Sequence, residues 1–177
     1  MRYYAGIGSR ETPRVVLDWM KRIAAAHRTW GWCLRSGGAG GADSAFYKGM
    51  VLASQPGKLR AEIFLPFDGF NGYNVDNETF FTYNSDAMKI AKQYHPAWDR
   101  CSPQARRFHA RNVHQVLGIH LNLPVEVVIC WTKDGEASGG TGQALRIAKD
   151  YPHRKKIHIV NLQRPIETLP QHIRELR

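Results

Sequence analysis

The chain has 177 residues, 43% hydrophobic and 11% aromatic, which suits a globular domain long enough to close a core and excludes a disordered or low-complexity class. Twenty-five Lys and Arg against 15 Asp and Glu leave a net charge of +10, which favours a polyanionic partner, nucleic acid above all. No apolar run approaches the ~20 residues of a membrane span, so no membrane partner is expected.

The N-terminus "MRYYAGIGSR" lacks the apolar stretch of a secretory leader, which predicts a cytoplasmic protein. Cys33, Cys101 and Cys130 lie far apart with no CxxC pair, as suits free thiols in a reducing compartment. The eight histidines include no HExxH, and none stands at ligand spacing from a cysteine. Neither a metal nor a cofactor is expected.

In chain order, "RYYAGIG" reads as a short buried strand and "TPRVVLDWMKRIAAAHRTW" as a helix. Thr12 is placed as its N-cap and Pro13 as its first residue, with Val15, Val16, Trp19, Ile23 and Ala26 on one face and Gly31 as its stop. "WCLRSG" is a second strand, and "GADSAFYKGMVLA" a helix that packs through Ala42, Ala45, Phe46 and Gly49. "AEIFLPF" is a third strand, ended by Pro66. Residues 67–83 mix turn residues with aromatics and read as a functional loop or lid. "NSDAMKIAKQYH" is a helix capped at Asn84 or Ser85, and "SPQARRFHARNVHQVLGIHL" a helix opened by Ser-Pro. "VEVVICWT" is a continuous apolar strand, "GGTGQALRIAKDY" a glycine-opened helix and "KKIHIVNL" a last strand. The basic tail "HRKKIHIVNLQRPIETLPQHIRELR", which holds part of the charge excess, reads as a solvated edge.

This alternation predicts one α/β domain over residues 1–177, a doubly wound, mostly parallel sheet with helices on both faces. Ligands of such folds sit beyond the carboxyl ends of the strands. Three glycine turns follow three predicted strands and so share one rim: Gly8, Ser9 and Arg10; Ser36, Gly37, Gly38, Gly40 and Gly41; Ser138, Gly139, Gly140 and Thr141. Helix N-termini opening from such turns favour phosphate. The dinucleotide fingerprint GxGxxG fails, because Gly6-x-Gly8 meets Glu11 and Gly38-x-Gly40 meets Asp43. The P-loop pattern is absent. In "RRFHARN", Arg107, Arg111 and His114 fall at i, i+4 and i+7 as a basic helix face, with Asn112 beside it.

The order "AGIGSR", "RSGGAGGADSAF", "RRFHARN", "VVICW" and "SGGTGQALRIA" resembles the Rossmann-like domain of DprA/Smf DNA-processing proteins, over roughly residues 3–160. The closest likeness is to single-domain, phage-type DprA-like recombination mediators, which implies a host cytoplasm if the chain is phage-encoded. The resemblance implies non-catalytic binding of single-stranded DNA, assistance to a recombinase, and room for a homodimer. It places Arg10 on a phosphate, Ser36, Gly37 and Gly38 in the matching loop, and Arg111 and Asn112 as the RN pair.

The wider superfamily holds LOG-type phosphoribohydrolases, whose PGGxGTxxE is similar to "SGGTGQALR". This keeps a nucleotide or nucleotide-sugar enzyme or sensor as the alternative. Arg146 stands where those enzymes carry a catalytic glutamate, so cleavage is not expected unless Asp43, Asp134 or Glu136 substitutes. The loop aromatics Phe67, Phe70, Tyr73, Phe80, Phe81 and Tyr83 are candidate base platforms, Phe80 and Phe81 being better suited to the core.

Overall fold

Residues 2–6 and 32–36 pair as parallel strands at the centre of a sheet whose six members all run the same way. The computed structural model describes residues 1–133, 135–137, 139–152 and 156–177. Its strands are β1 (Arg2–Gly6), β2 (Trp32–Ser36), β3 (Ala61–Leu65), β4 (Phe80–Thr82), β5 (Val127–Cys130) and β6 (His158–Asn161), in the order β4-β3-β2-β1-β5-β6. Tyr4 lies opposite Leu34 on one side and Val127 on the other. Strand order reverses between β1 and β5, and the crevice beyond their carboxyl ends is where such a sheet accepts a ligand.

The helices are α1 (Arg14–Thr29), α2 (Ala42–Leu52), α3 (Ser85–Gln93), α4 (Pro103–Leu117), α5 (Gly139–Asp150) and α6 (Gln171–Arg174). Strand side chains alternate between two cores. Tyr4, Leu34 and Ile129 join Trp19, Ile23, Phe46 and Met50 beneath α1 and α2. Ala5, Val128 and Cys130 join Ala91, Val113, Val116 and Ile147 beneath α3, α4 and α5. This is a Rossmann-like, doubly wound α/β fold, as the alternation of elements predicts. Burial on both faces is why β5 reads as an unbroken apolar run. Among the described residues no helix is long and apolar enough to cross a membrane.

Local signals set several boundaries. Asn84 accepts from the Ala87 N–H at 2.9 Å and Ser102 from the Ala105 N–H at 3.1 Å, so both act as N-caps. α4 stops at Gly118, whose φ of +81° suits glycine. Thr12 is not the cap of α1. Pro13 holds that position, and the Thr12 hydroxyl donates to the Ser9 carbonyl at 2.7 Å, tying the first turn together. Val15 lies 64% exposed; the buried face of α1 is Trp19, Met20, Ile23, Ala24 and His27.

Two segments differ from the expectation. Residues 67–83 contain the edge strand β4, in register with β3 through Ile63–Phe80 and Leu65–Thr82. Asp76 Oδ1 caps the turn before it, accepting from the N–H groups of Glu78, Thr79 and Phe80 at 2.7–2.8 Å. Three strand residues after a string of turn formers give no readable period, so tertiary pairing decides them. The tail is not merely a solvated edge. Leu169 and Ile173 are buried, and the Ile173 carbonyl accepts from Trp19 Nε1 at 3.0 Å.

Candidate functional site

The turn after β1, the turn after β5 and the start of α5 surround a cleft of about 870 Å³ at the switch point. β1 delivers Gly8, Ser9 and Arg10 to its wall, β5 delivers Thr132, and α5 delivers Gly139, Gly140 and Thr141. Gly8 is needed for close approach, since a Cβ there would stand 2.8 Å from Ala42 Cβ and 3.1 Å from the Trp131 carbonyl oxygen. Ser9 is held by its N–H on the Trp131 carbonyl (3.3 Å), and its hydroxyl accepts from the Glu11 N–H (3.0 Å). Arg10 is exposed at the mouth.

The floor comes from α4. Arg111 Nη1 donates to the Gly37 carbonyl at 2.8 Å and lies 3.8 Å from Asp43 Oδ2, while Nη2 donates to Asn112 Oδ1 at 3.0 Å. Asn112 Nδ2 in turn donates to the Gly140 carbonyl at 3.0 Å. Arg111 and Asn112 therefore bridge the second and third glycine turns. Arg111 is only 8% exposed, and burial pushes its guanidinium below its ordinary pKa against the opposing effect of Asp43. Burial likewise pushes the Asp43 carboxyl up, with Arg111 and the Ala39 and Gly37 N–H groups pulling it back. Glycine at position 37 leaves room for these side chains, because a Cβ would displace the Gln115 amide and stand 2.6 Å from Arg111 Cζ.

The predicted residues divide. Ser36 is fully buried and its hydroxyl donates to the Gly6 carbonyl at 2.7 Å, so it braces the sheet instead of lining the cleft. Gly38 and Gly41 take φ of +66° and +76° inside the second turn, and Asn71 Nδ2 pins the Gly38 carbonyl at 2.9 Å. Gly40 is exposed and opens on a neighbouring recess.

The basic face on α4 does not form as expected. Arg107 is exposed outside the cleft lining, while His114 is buried, stacked on Phe64 with centroids 5.2 Å apart and accepting from the Asn84 N–H at 3.2 Å. The spacing places these side chains correctly along the helix, but α4 packs on the sheet through that stripe. Of the candidate acids, Asp43 reaches the floor and Glu136 is exposed outside the lining. Asp134 and Ser138 lie outside the described residues.

Several cleft residues escape a reading by motif: His95, Phe108, His109, Gln115 and Thr132. Gln115 is 2% exposed, and its Nε2 has no hydrogen-bond partner among the described residues. Burial takes His109 down to about 4, so its ring is neutral at pH 7, and lowers His95 as well. Arg146 Nε donates to the Tyr94 carbonyl at 3.0 Å and Nη1 to the Ala137 carbonyl at 3.2 Å. A cation, fixed to the backbone, stands in this wall. The sequence offers no histidine at ligand spacing from a cysteine, yet the fold brings such groups together in space. His95, Cys101 and His109 bring their ligand atoms within 4.8 Å of one another.

A second recess of about 900 Å³ adjoins the first and shares Arg10, Ala105 and Phe108 with it. Lys48, Phe67, Phe70 and Tyr73 line it. Phe108 packs edge-on to Phe70 at 5.5 Å, and the guanidinium carbons of Arg10 and Arg111 lie 5.9 and 5.6 Å from its centroid. Phe80 stacks on Tyr73 and Phe81 packs on Phe64, as strand residues do. Protein-family models, curated proteins and solved structures provide no match to this chain.

Proposed function

We propose that the protein binds a single strand of DNA without cleaving it, one phosphate resting against the glycine rim and the next nucleotide crossing Phe108 into the aromatic recess. The observation that carries this reading is the continuity of the two recesses through Arg10 and Phe108. Nonspecific single-strand binders combine a cationic track with aromatic platforms worth ~1–3 kcal/mol per base. Arg10 and Lys48 supply the track, Phe67 and Tyr73 the platforms, and the net charge of +10 the long-range attraction. Arg146 in the wall argues against N-glycosidic cleavage, which needs a carboxylate at the reacting bond. Delivery of the strand to a recombinase is the role that the sequence resemblance adds.

A second reading, a pocket for one nucleotide or nucleotide-sugar, draws on the first recess alone. Its volume suits a single small ligand, and among the described residues it offers two carboxylates, Glu11 in the lining and Asp43 beside Arg111. Fluorescence anisotropy separates the two. With oligo(dT), log affinity should fall linearly with log salt by ~0.7 per phosphate contacted. Arg10→Ala should flatten that slope, and Arg174→Ala, on α6, should leave it unchanged. A flat slope together with tight binding of a nucleoside monophosphate would move the assignment to the second reading. Release of free base from that nucleotide, lost in Asp43→Asn, would make the protein an enzyme.

A further inference from the structure

Two histidines of the cleft wall share a corner with a thiol that no sequence spacing connects to them. His95 follows α3, Cys101 ends the turn Trp98–Arg100, and His109 stands on α4. Their ligand atoms all lie within 4.8 Å of one another. Cys101 Sγ is 3.7 Å from each ring nitrogen of His95, and the His95 and His109 rings are 4.2 Å apart. We infer that His95, Cys101 and His109 bind a zinc ion at the edge of the cleft.

With Zn–S of about 2.3 Å and Zn–N of about 2.0–2.1 Å, a tetrahedral ion holds its nitrogen and sulfur ligands about 3.5 Å apart. The Cys101–His95 separation is close to that length before any ion is bound. The hydrogen bonds also prepare one ring. Gln143 Nε2 donates to the Ala91 carbonyl at 3.4 Å, so Gln143 Oε1 faces His109 Nδ1 at 3.3 Å as an acceptor. The proton of His109 therefore sits on Nδ1, and Nε2 keeps its lone pair for a metal.

His95 is the adjustable ligand. Its Nδ1 accepts from the Ala97 N–H at 3.1 Å, and a turn of the ring exchanges that bond for one to the ion. Arg146 acts electrostatically on His95 from α5, and Arg106 packs over Trp98 at 5.3 Å. A dication needs the thiolate to sit beside these charges. As the Zn–S bond forms, the Cys101 proton passes to solvent and the sulfur supplies the electron pair. Two imidazoles and one thiolate leave a fourth position for water, on the side of the cleft that His95 and His109 line.

The test uses untagged, chelator-stripped protein titrated with Co²⁺ and then Zn²⁺. One equivalent of Co²⁺ should produce thiolate-to-metal charge-transfer absorption, and Zn²⁺ should abolish it. Cys101→Ser should lose the absorption, His109→Ala should weaken binding at least tenfold, and Cys33→Ser should change neither. On the wild type, Zn²⁺ should slow alkylation of Cys101, read by peptide mass. This second measurement stands if the Cys101→Ser variant fails to fold. No absorption at stoichiometric Co²⁺, absorption that persists in Cys101→Ser, or alkylation of Cys101 indifferent to Zn²⁺ would each overturn the site.

Discussion

α2 and α5 both begin with paired glycines on the same rim, yet their surroundings are opposite. At α2 the turn is closed by the protein itself. Gly41 takes φ of +76°, and a Cβ there would stand 2.7 Å from Arg10 Cα. The Ala42 N–H points to the Ser9 carbonyl at 3.4 Å, and the Ala39 N–H to Asp43 Oδ2 at 3.2 Å. At α5 a Cβ on Gly139 or Gly140 would meet nothing within 4 Å. Gly41 is required because backbone packs against backbone, whereas Gly139 and Gly140 border open volume at the positive end of a 12-residue helix. A single motif class thus serves two purposes, and only its neighbours separate them.

The sharpest way to break this comparison is Arg111→Ala. It leaves Asp43 buried without its cation, and losing one partner of a buried pair costs about 3–5 kcal/mol. Urea unfolding should show that loss, and one below 1 kcal/mol would mean that the closed turn does not depend on the pair. Gly41→Ala should cost less, about 1–3 kcal/mol, through strain at positive φ and contact with the Arg10 backbone. Thermal melting would measure it against Gly40→Ala, whose Cβ meets nothing within 4 Å.

Acid supplies the next test and sets the pH at which the two turns should be compared. Burial takes His27, among Tyr4 and Trp32 on the α1 face, from 6.5 down to about 4. A base with a depressed folded pKa contributes stability above its unfolded value, lost as pH falls through 6.5 toward 4. Melting temperature should drop across that window, and His27→Gln should flatten the drop. An unchanged profile in the variant would assign the acid sensitivity elsewhere.

The smallest stability effect belongs to Gly140→Ala, which should stay within about 0.5 kcal/mol of the wild type. Its added methyl nevertheless enters the space where a phosphate would lie, so oligo(dT) affinity should fall about tenfold, or ~1.4 kcal/mol. Destabilisation as large as that of Gly41→Ala would erase the contrast between the two helix starts. Unchanged affinity would remove the phosphate from α5.

Short-range chemistry made much of the fold legible. Asn84 and Ser102 cap helices because their side chains reach N–H groups three residues on, and Gly118 ends α4 because its φ is positive. Apolar runs such as residues 127–130 predict doubly covered strands, and alternation with helices predicts the parallel sheet. The convergence of three turns on one rim follows from that topology alone.

What local pattern could not decide was which polar side chains would be buried and what they would meet. Arg111 and His114 share a helical stripe that reads as one basic face, but α4 turns it toward the sheet, where Gly37, Asp43 and Phe64 receive it. Thr12 has the chemistry of a cap and spends its hydroxyl on Ser9 instead. β4 exists because β3 offers an edge, and His95, Cys101 and His109 meet because α3, the turn at 98–100 and α4 converge. Capping and periodicity act over a few residues and are written in them; burial of charge, strand pairing and ligand clusters depend on contacts between distant segments, which exist only once the chain has folded.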